Sequence, residues 1–448
     1  IFLSVALSFD VFAKLLLSGS EGVSTNEATE GRMYPLLASL FSRGIEADSI
    51  LATRLFKQGD FEGRHCPVHK IVAEYGAATH LIKCISDHSH PLTMQQCLVI
   101  IAPNYTVRDE LRGLLGWMAT LGNKSIQKKI IDLDPYAVLA NGDPSQLDNS
   151  SKCLLIKQLK KIDSIDPNFR RGDFWRRFSV ADFFSLEVIE EVKPLLSSRG
   201  DGDLRDLILE LLVESSAAKM FRHELCQIVL DIYENISPRL LASKCLLIIP
   251  GYNYREILSI LISEASYSSL DVSANSIVTL GLESFEREYL ADFLRVCSGL
   301  YPSHENLYNS TIGSRYFIRH FIQNINLNTI EWLLDELTME LACVCGKEHY
   351  ECDCRNGISK IIGLLLDRYF TLAIPPFDPV RVWQWIKNLN FYEGISKEES
   401  VAVRTLQDHT ILRQGIIKHI FGELTDRDQI FDTKINKFDY HTHAGLVF

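Results

Sequence analysis

The chain has 448 residues and a formal net charge of -11, with 46 % hydrophobic and 23 % charged residues. This length exceeds what one hydrophobic core supports, so it predicts several domains or one long repeat array. The composition is typical of a globular protein and excludes a disordered chain. The net negative charge excludes a protein whose whole surface neutralises phosphate groups.

The chain opens with an apolar stretch, residues 1–17, which Asp10 and Lys14 interrupt. No basic segment precedes it, and it is shorter than a bilayer span. It therefore predicts an amphipathic or buried helix rather than a signal peptide, and we expect no membrane partner. The first residue is Ile1 rather than Met, and the apolar residues 445–448 resemble the middle of an element. We therefore expect a fragment of a larger protein.

A short β-hairpin is predicted near residues 53–67. Leu55-Phe56 and His65-Cys66 flank a polar segment that contains two glycines, which is typical of two strands and their turn. A helix is predicted over residues 68–86, with Pro67 close to its start. Helix, hairpin and helix together predict a winged-helix-like unit, to which we assign residues 1–105.

Helical periodicity dominates residues 106–300. Between residues 203 and 212 one wide face carries the leucines at 204, 207, 209, 211 and 212. The predicted helices form pairs: 203–216 with 221–233, 236–248 with 254–264, and 269–281 with 286–298. Their spacing is on the order of 33 residues, which is within the range of helical repeats. The predicted fold class is therefore all-α, with a HEAT-like α-solenoid of antiparallel helix pairs.

Residues 301–448 are predicted to form a C-terminal helical domain with a cysteine cluster. Of the eleven cysteines in the chain, seven are scattered singly, which favours reduced thiols in the cytoplasm. The other four, Cys343, Cys345, Cys352 and Cys354, form two C-x-C pairs within twelve positions. Four thiolates can close a tetrahedral structural zinc site, which would imply no catalysis. A loop of reduced thiols and a disulfide or redox pair remain alternatives.

Motifs for catalysis are missing from the sequence. It contains no G-x-x-x-x-G-K-[ST] loop, no G-x-S-x-G elbow and no H-E-x-x-H pair. His441 and His443 are interpreted as part of a polar loop rather than a metal site. The arginines and aromatics of residues 170–178 favour ion pairs with nearby acids over nucleic-acid contact, so we do not expect nucleic acid as a partner. Residues 381–385 predict a packing anchor for a helix.

One run of residues resembles a known family. His69, Glu74, Tyr75, Ala77 and Ala78 match, in order and spacing, the winged-helix signature of the STAND-class signal-transduction NTPases, which include NACHT and NLR-type proteins. Lys70 and Gly76 depart from the usual pattern. Residues 12–22 and 53–56, together with 116–119, 134–135 and 141–143, also look like bacterial members of this class.

The resemblance implies a function. In this family the winged-helix histidine can contact the β-phosphate of ADP, and an imidazole can donate such a hydrogen bond. The corresponding residue is His69, which on its chemistry alone is a polar residue at a helix start. ATP or ADP would bind only through an upstream nucleotide-binding domain. The family further implies that the helical array recognises a protein trigger and that oligomerisation can accompany activation.

Two hypotheses follow. The first is a non-catalytic regulatory and sensor region of a STAND-like NTPase that recognises a protein trigger in bacterial antiphage defence. The second is a zinc-stabilised helical scaffold that binds other proteins.

Overall fold

The computed structural model describes residues 2–41, 47–170, 183–197, 202–213, 215–301, 316–339, 341, 355–389, 400–422 and 444–447. In these ranges the chain forms twenty-one α-helices and three short β-strands. The predicted all-α fold class is therefore confirmed. The chain divides into two compact units, unit 1 (residues 1–227) and unit 2 (residues 228–448). The three-part division with boundaries near 105 and 300 stays a prediction.

Unit 1 holds the sheet and the first helices. Its strands are β1 (Val23–Ser24), β2 (Phe56–Gln58) and β3 (Arg64–Pro67). Its helices are α1 (Phe2–Ser18), α2 (Ala47–Leu51), α3 (Lys70–Ser86), α4 (Met94–Ile101), α5 (Arg112–Leu121), α6 (Lys124–Leu133), α7 (Pro135–Asn141), α8 (Asn149–Ile165), α9 (Leu186–Ser197) and α10 (Asp203–Leu212). Helix α11 (Arg222–Leu230) crosses the division between the two units.

The sheet is antiparallel, and β3 lies between β1 and β2. Lys57 of β2 pairs with Cys66 of β3, and Val23 of β1 pairs with His65. Strands β2 and β3 form the hairpin that the sequence predicts. Gly63 in its turn has φ +82°, a left-handed conformation that glycine adopts without strain. Strand β1 was not predicted, because a strand of two residues carries no periodic pattern.

Helices α1, α3, α5 and α7 pack successively against each other in unit 1. Phe12 and Leu15 of α1 are buried, which confirms the predicted buried or amphipathic helix over residues 1–17. The approach of α1 to α3 is close, since a Cβ on Gly76 would lie 2.5 Å from Cδ1 of Phe9. Alanines at 77 and 78 keep the rest of this α3 surface small. Among the described residues no helix is long and apolar enough to cross a membrane.

Unit 2 contains the remaining helices. They are α12 (Ile236–Leu247), α13 (Arg255–Glu264), α14 (Tyr267–Leu280), α15 (Arg287–Ser298), α16 (Tyr316–Gln323), α17 (Leu327–Met339), α18 (Asn356–Leu372), α19 (Pro379–Ile386), α20 (Val401–Asp408) and α21 (Thr410–Gly422). The helices predicted between residues 236 and 298 are thus present, with ends that differ by one or two residues.

Two rows of helices build unit 2. One row runs through α12, α14, α16, α18 and α20, each in contact with the next. The other row runs through α15, α17, α19 and α21. Contacts between α17 and α18 and between α20 and α21 join the rows. Helices that are two apart in the chain are therefore neighbours in the same row.

A buried ion pair joins α12 to α13. The Arg239 side chain is fully buried, and its Nη1 and Nη2 atoms donate to the two carboxylate oxygens of Glu264 at 3.1 and 2.7 Å. Its Nε donates to the carbonyl oxygen of Val229 at 2.9 Å. Because the guanidinium is satisfied on all sides, its charge is tolerated away from water.

The Trp385 anchor of α19 is confirmed as a packing residue. It is 1 % exposed, its ring meets that of Tyr369 edge to face at 4.9 Å, and its Nε1 donates to Asp335 Oδ1 at 2.7 Å. Arg381, one turn earlier, pairs with Glu331 and Asp335 of α17. These contacts fix α19 against α17 and α18.

Candidate functional site

The predicted nucleotide-sensing residue, His69, lies at the junction between β3 and α3. It has an extended backbone (φ -151°, ψ 142°), and α3 begins at the next residue, Lys70. Its side chain is exposed and makes no capping hydrogen bond to the helix. Among the described residues the imidazole has no polar partner. His69 is therefore available to a group that approaches the start of α3.

The other residues of the His69 motif serve packing. Glu74 is 5 % exposed, and its Oε1 lies 3.6 Å from Nζ of Lys70. The carboxylate of Glu74 faces α5 so closely that a Cβ on Gly113 would lie 2.0 Å from Oε1. Ala77 and Ala78 are fully buried. Thus Glu74, Ala77 and Ala78 hold α3 against its neighbours, while His69 itself stays outside the core.

Residues 116–119, 134–135 and 141–143, which also carry the resemblance, lie where α5 and α7 make a close contact. A Cβ on Gly116 would lie 2.6 Å from the backbone nitrogen of Gly142. Asp134 caps α7 by accepting from the Ala137 amide at 2.8 Å, and Arg112 Nε donates to its other oxygen at 3.2 Å. These residues position α5, against which α3 packs.

An open cavity of about 660 Å³ lies beside the first turns of α3 in unit 1. Its lining comes from the end of α1 and the following loop, from β2 and β3, from α3, and from the segment before α5. The charged lining residues are Glu21, Arg32, Lys57, Lys70, Arg108 and Glu110. His69 does not line this cavity. The cavity and His69 are therefore two separate features near the start of α3.

The cavity was not predicted from the sequence. Its four cations, Arg32, Lys57, Lys70 and Arg108, come from four separate segments of the chain. No short sequence motif contains two of them. The hairpin and the packing of α1 on α3 bring them to one place. The only local signal was the predicted hairpin, which places β2 beside β3.

Asp10, His80 and Cys84 resemble a catalytic triad in composition. His80 Nε2 lies 3.4 Å from Oδ1 of Asp10 and 3.5 Å from Sγ of Cys84. Both contacts use the same ring nitrogen, so the carboxylate cannot orient the ring against the thiol. Burial raises the pKa of Cys84, which keeps it a thiol, and burial lowers the pKa of His80. This arrangement does not supply an activated nucleophile.

Arg170, the first residue of the arginine and aromatic segment, has a structural role. Its side chain is 1 % exposed, and it pairs with both carboxylate oxygens of Glu210 at 3.0 and 2.8 Å. This arrangement favours the ion-pair interpretation for Arg170. Residues 171–178 lie outside the described residues.

The predicted zinc ligands Cys343, Cys345, Cys352 and Cys354 lie outside the described residues, as do His441 and His443. Within the described ranges, no group of three or more His, Cys, Asp or Glu side chains is placed to hold a metal ion. The zinc site stays a prediction.

Comparison with known proteins gave no relative. No family model, no curated protein and no solved structure matches the chain.

Proposed function

We propose that this chain is the non-catalytic regulatory and sensor region of a STAND-like NTPase, which recognises a protein trigger in bacterial antiphage defence. The observation that carries the proposal is the exposed imidazole of His69, which has no hydrogen-bond partner among the described residues. Glu74, Ala77 and Ala78 of its motif are buried. Tyr75 is 40 % exposed, and its ring meets those of Phe9 on α1 and Trp117 on α5 edge to face. A histidine held in this way can report on a phosphate that a neighbouring domain presents.

In this proposal His69 contacts ADP bound to an upstream nucleotide-binding domain, and the contact stabilises the resting state. Unit 2 supplies the surface for the trigger. Its two rows of helices are the arrangement expected of a HEAT-like solenoid, which offers an extended surface to a protein partner. Binding of the trigger favours release of the His69 contact, because only a ligand with different affinity for two states shifts their balance.

The first test is the coding sequence upstream of Ile1. The proposal expects a phosphate-binding G-x-x-x-x-G-K-[ST] loop there. In the protein with that domain, His69→Ala should speed the release of a fluorescent ADP analogue on the order of tenfold, as loss of one charge-assisted hydrogen bond implies.

The matched control is His88→Ala, which removes another exposed histidine beyond the far end of α3. It should leave ADP release unchanged. Absence of the upstream motif, or equal effects of the two variants, would contradict the proposal.

A helical scaffold without an NTPase is the second candidate, and the two rows of unit 2 favour it independently of His69. Measurement of the zinc content of the purified chain tests whether this scaffold holds a structural zinc ion. One equivalent of zinc that Cys343→Ser and Cys352→Ser both remove, together with loss of helical structure, would support a zinc-stabilised scaffold. A chain that folds without bound metal would contradict a structural zinc site in either candidate function.

A further inference from the structure

The cavity beside α3 carries an excess of positive charge. Four cationic side chains line it, Arg32, Lys57, Lys70 and Arg108, against two carboxylates, Glu21 and Glu110. All six belong to unit 1. The cations therefore exceed the acids by two.

Both carboxylates accept a hydrogen bond from a neighbouring side chain. Glu110 Oε1 accepts from Nε of Arg108 at 2.8 Å. Glu21 Oε2 accepts from the hydroxyl of Tyr34 at 3.0 Å. A third cation, Lys70, lies 3.6 Å from Glu74. The tyrosine hydroxyl is neutral, so Glu21 keeps its negative charge. With Lys70 paired to Glu74, three cations face two carboxylates, and the cavity keeps an excess of one positive charge.

Arg32 and Lys57 are the two cations left over. Both are exposed, and neither forms an ion pair with any residue in the described ranges. Arg32 lies in the loop after β1, and Lys57 lies on β2. Both residues line the same cavity.

The remaining lining is largely apolar. Leu16 of α1, Met33, Pro67 at the end of β3 and Ala73 of α3 contribute to it. The volume of about 660 Å³ lies within the range of sites for small organic molecules, which combine apolar walls with a few charged groups.

We propose that this cavity binds a small organic phosphate, whose apolar part contacts Leu16 and Met33 and whose phosphate pairs with Arg32 and Lys57. A phosphate monoester carries about two negative charges at neutral pH and three acceptor oxygens, so one phosphate can accept hydrogen bonds from both cations. The site is separate from the contact assigned to His69, which does not line the cavity. It therefore does not depend on the proposed function.

Phenyl phosphate is the probe, because it joins an aromatic ring to a phosphate. Cys66 on β3 lines the cavity and is half-buried, so its alkylation by iodoacetamide reports on occupancy. Peptide mass spectrometry of the full chain should show that phenyl phosphate slows alkylation of Cys66. Cys153 on α8, also half-buried but outside the cavity, should react at an unchanged rate.

Substitutions then locate the phosphate. Arg32→Gln and Lys57→Gln should each weaken protection of Cys66 by roughly tenfold or more, as loss of a charged partner implies. Lys83→Gln, which removes an exposed lysine near the end of α3, is the matched control and should have no effect. His69→Ala should also leave protection unchanged, which separates this site from the proposed nucleotide contact.

A comparison on the unmodified chain needs no variant. Phenyl phosphate should protect Cys66 at a lower concentration than inorganic phosphate or phenol, and added salt should weaken that protection because the cations are exposed. Equal protection by inorganic phosphate, protection that survives both Gln substitutions, or no protection would each overturn the proposal.

Discussion

The buried pair Arg239 and Glu264 predicts an asymmetric response to mutation. Glu264→Gln removes the counter-charge and leaves a guanidinium that is fully buried, whereas the Glu264 side chain keeps 14 % exposure. Breaking a buried pair in this way costs about 3 to 5 kcal/mol of stability. Arg239→Met leaves a carboxylate that reaches water and still accepts from the Ser266 hydroxyl at 2.6 Å. Its main loss is the unpaired Val229 carbonyl group, worth about 1 to 3 kcal/mol.

The measurement is urea unfolding followed by tryptophan fluorescence. Trp332, Trp383 and Trp385 lie in unit 2, so a common background with Trp117→Phe and Trp175→Phe reports on unit 2 alone. The free energy of unfolding of unit 2 should fall more for Glu264→Gln than for Arg239→Met.

The double variant should resemble Arg239→Met, because no uncompensated guanidinium remains. A larger loss for Arg239→Met than for Glu264→Gln would refute the reasoning that burial of the remaining charge decides the cost.

The pH dependence of the same pair has a defined sign. Burial raises the pKa of Glu264. The hydrogen bonds from Arg239 and Ser266, together with the charge of Arg239, lower it by a larger amount, so the pKa of Glu264 lies below its ordinary value of 4.5. A depressed carboxyl pKa contributes stability that is present above pH 4.5 and is lost as the pH falls through the folded-state pKa. Arg239→Met should reduce this acid-dependent loss in unit 2.

Three further predictions concern other sites. Gly116→Ala should destabilise unit 1 by about 1 to 3 kcal/mol, because the new Cβ would lie 2.6 Å from the backbone nitrogen of Gly142, while Gly31→Ala, with nothing within 4 Å, should have little effect in thermal unfolding. Burial raises the pKa of Asp271, so its ionisation opposes folding as the pH rises above 3.8; Asp271→Asn should be more stable than the parent chain at pH 7, and the two should converge near pH 4. Burial raises the pKa of Cys245 to about 12, so iodoacetamide at pH 8 should leave it unmodified in the folded chain; rapid labelling would contradict its burial.

The sequence predicted the elements better than the sites. Periodic leucines and isoleucines placed helices at 236–248 and 254–264, and the structure has them at Ile236–Leu247 and Arg255–Glu264. Local spacing suffices here because the apolar face of a helix repeats every turn. The hairpin was predicted from its flanking apolar pairs and its turn glycines.

Contacts between distant segments were not predictable in the same way. The partner of Arg170 is Glu210, forty residues later, although several aspartates lie closer in sequence. Likewise, Arg32 and Lys57 line one cavity although they lie 25 residues apart in the chain. Such pairings depend on tertiary packing, which no short sequence window records.

Below the global unfolding of unit 2, local opening is expected to begin at an end helix rather than in the interior. Its close contacts join helices that are two apart in the chain, so most of its stabilisation comes from segments near each other in sequence. Helix α14 contacts α12, α13 and α16, whereas α21, the last helix of its row, has its main helix contact with α19. Amide hydrogens of α21 should therefore exchange with solvent before those of α14. The helix at the end of a row can unfold locally while the interior helices stay folded.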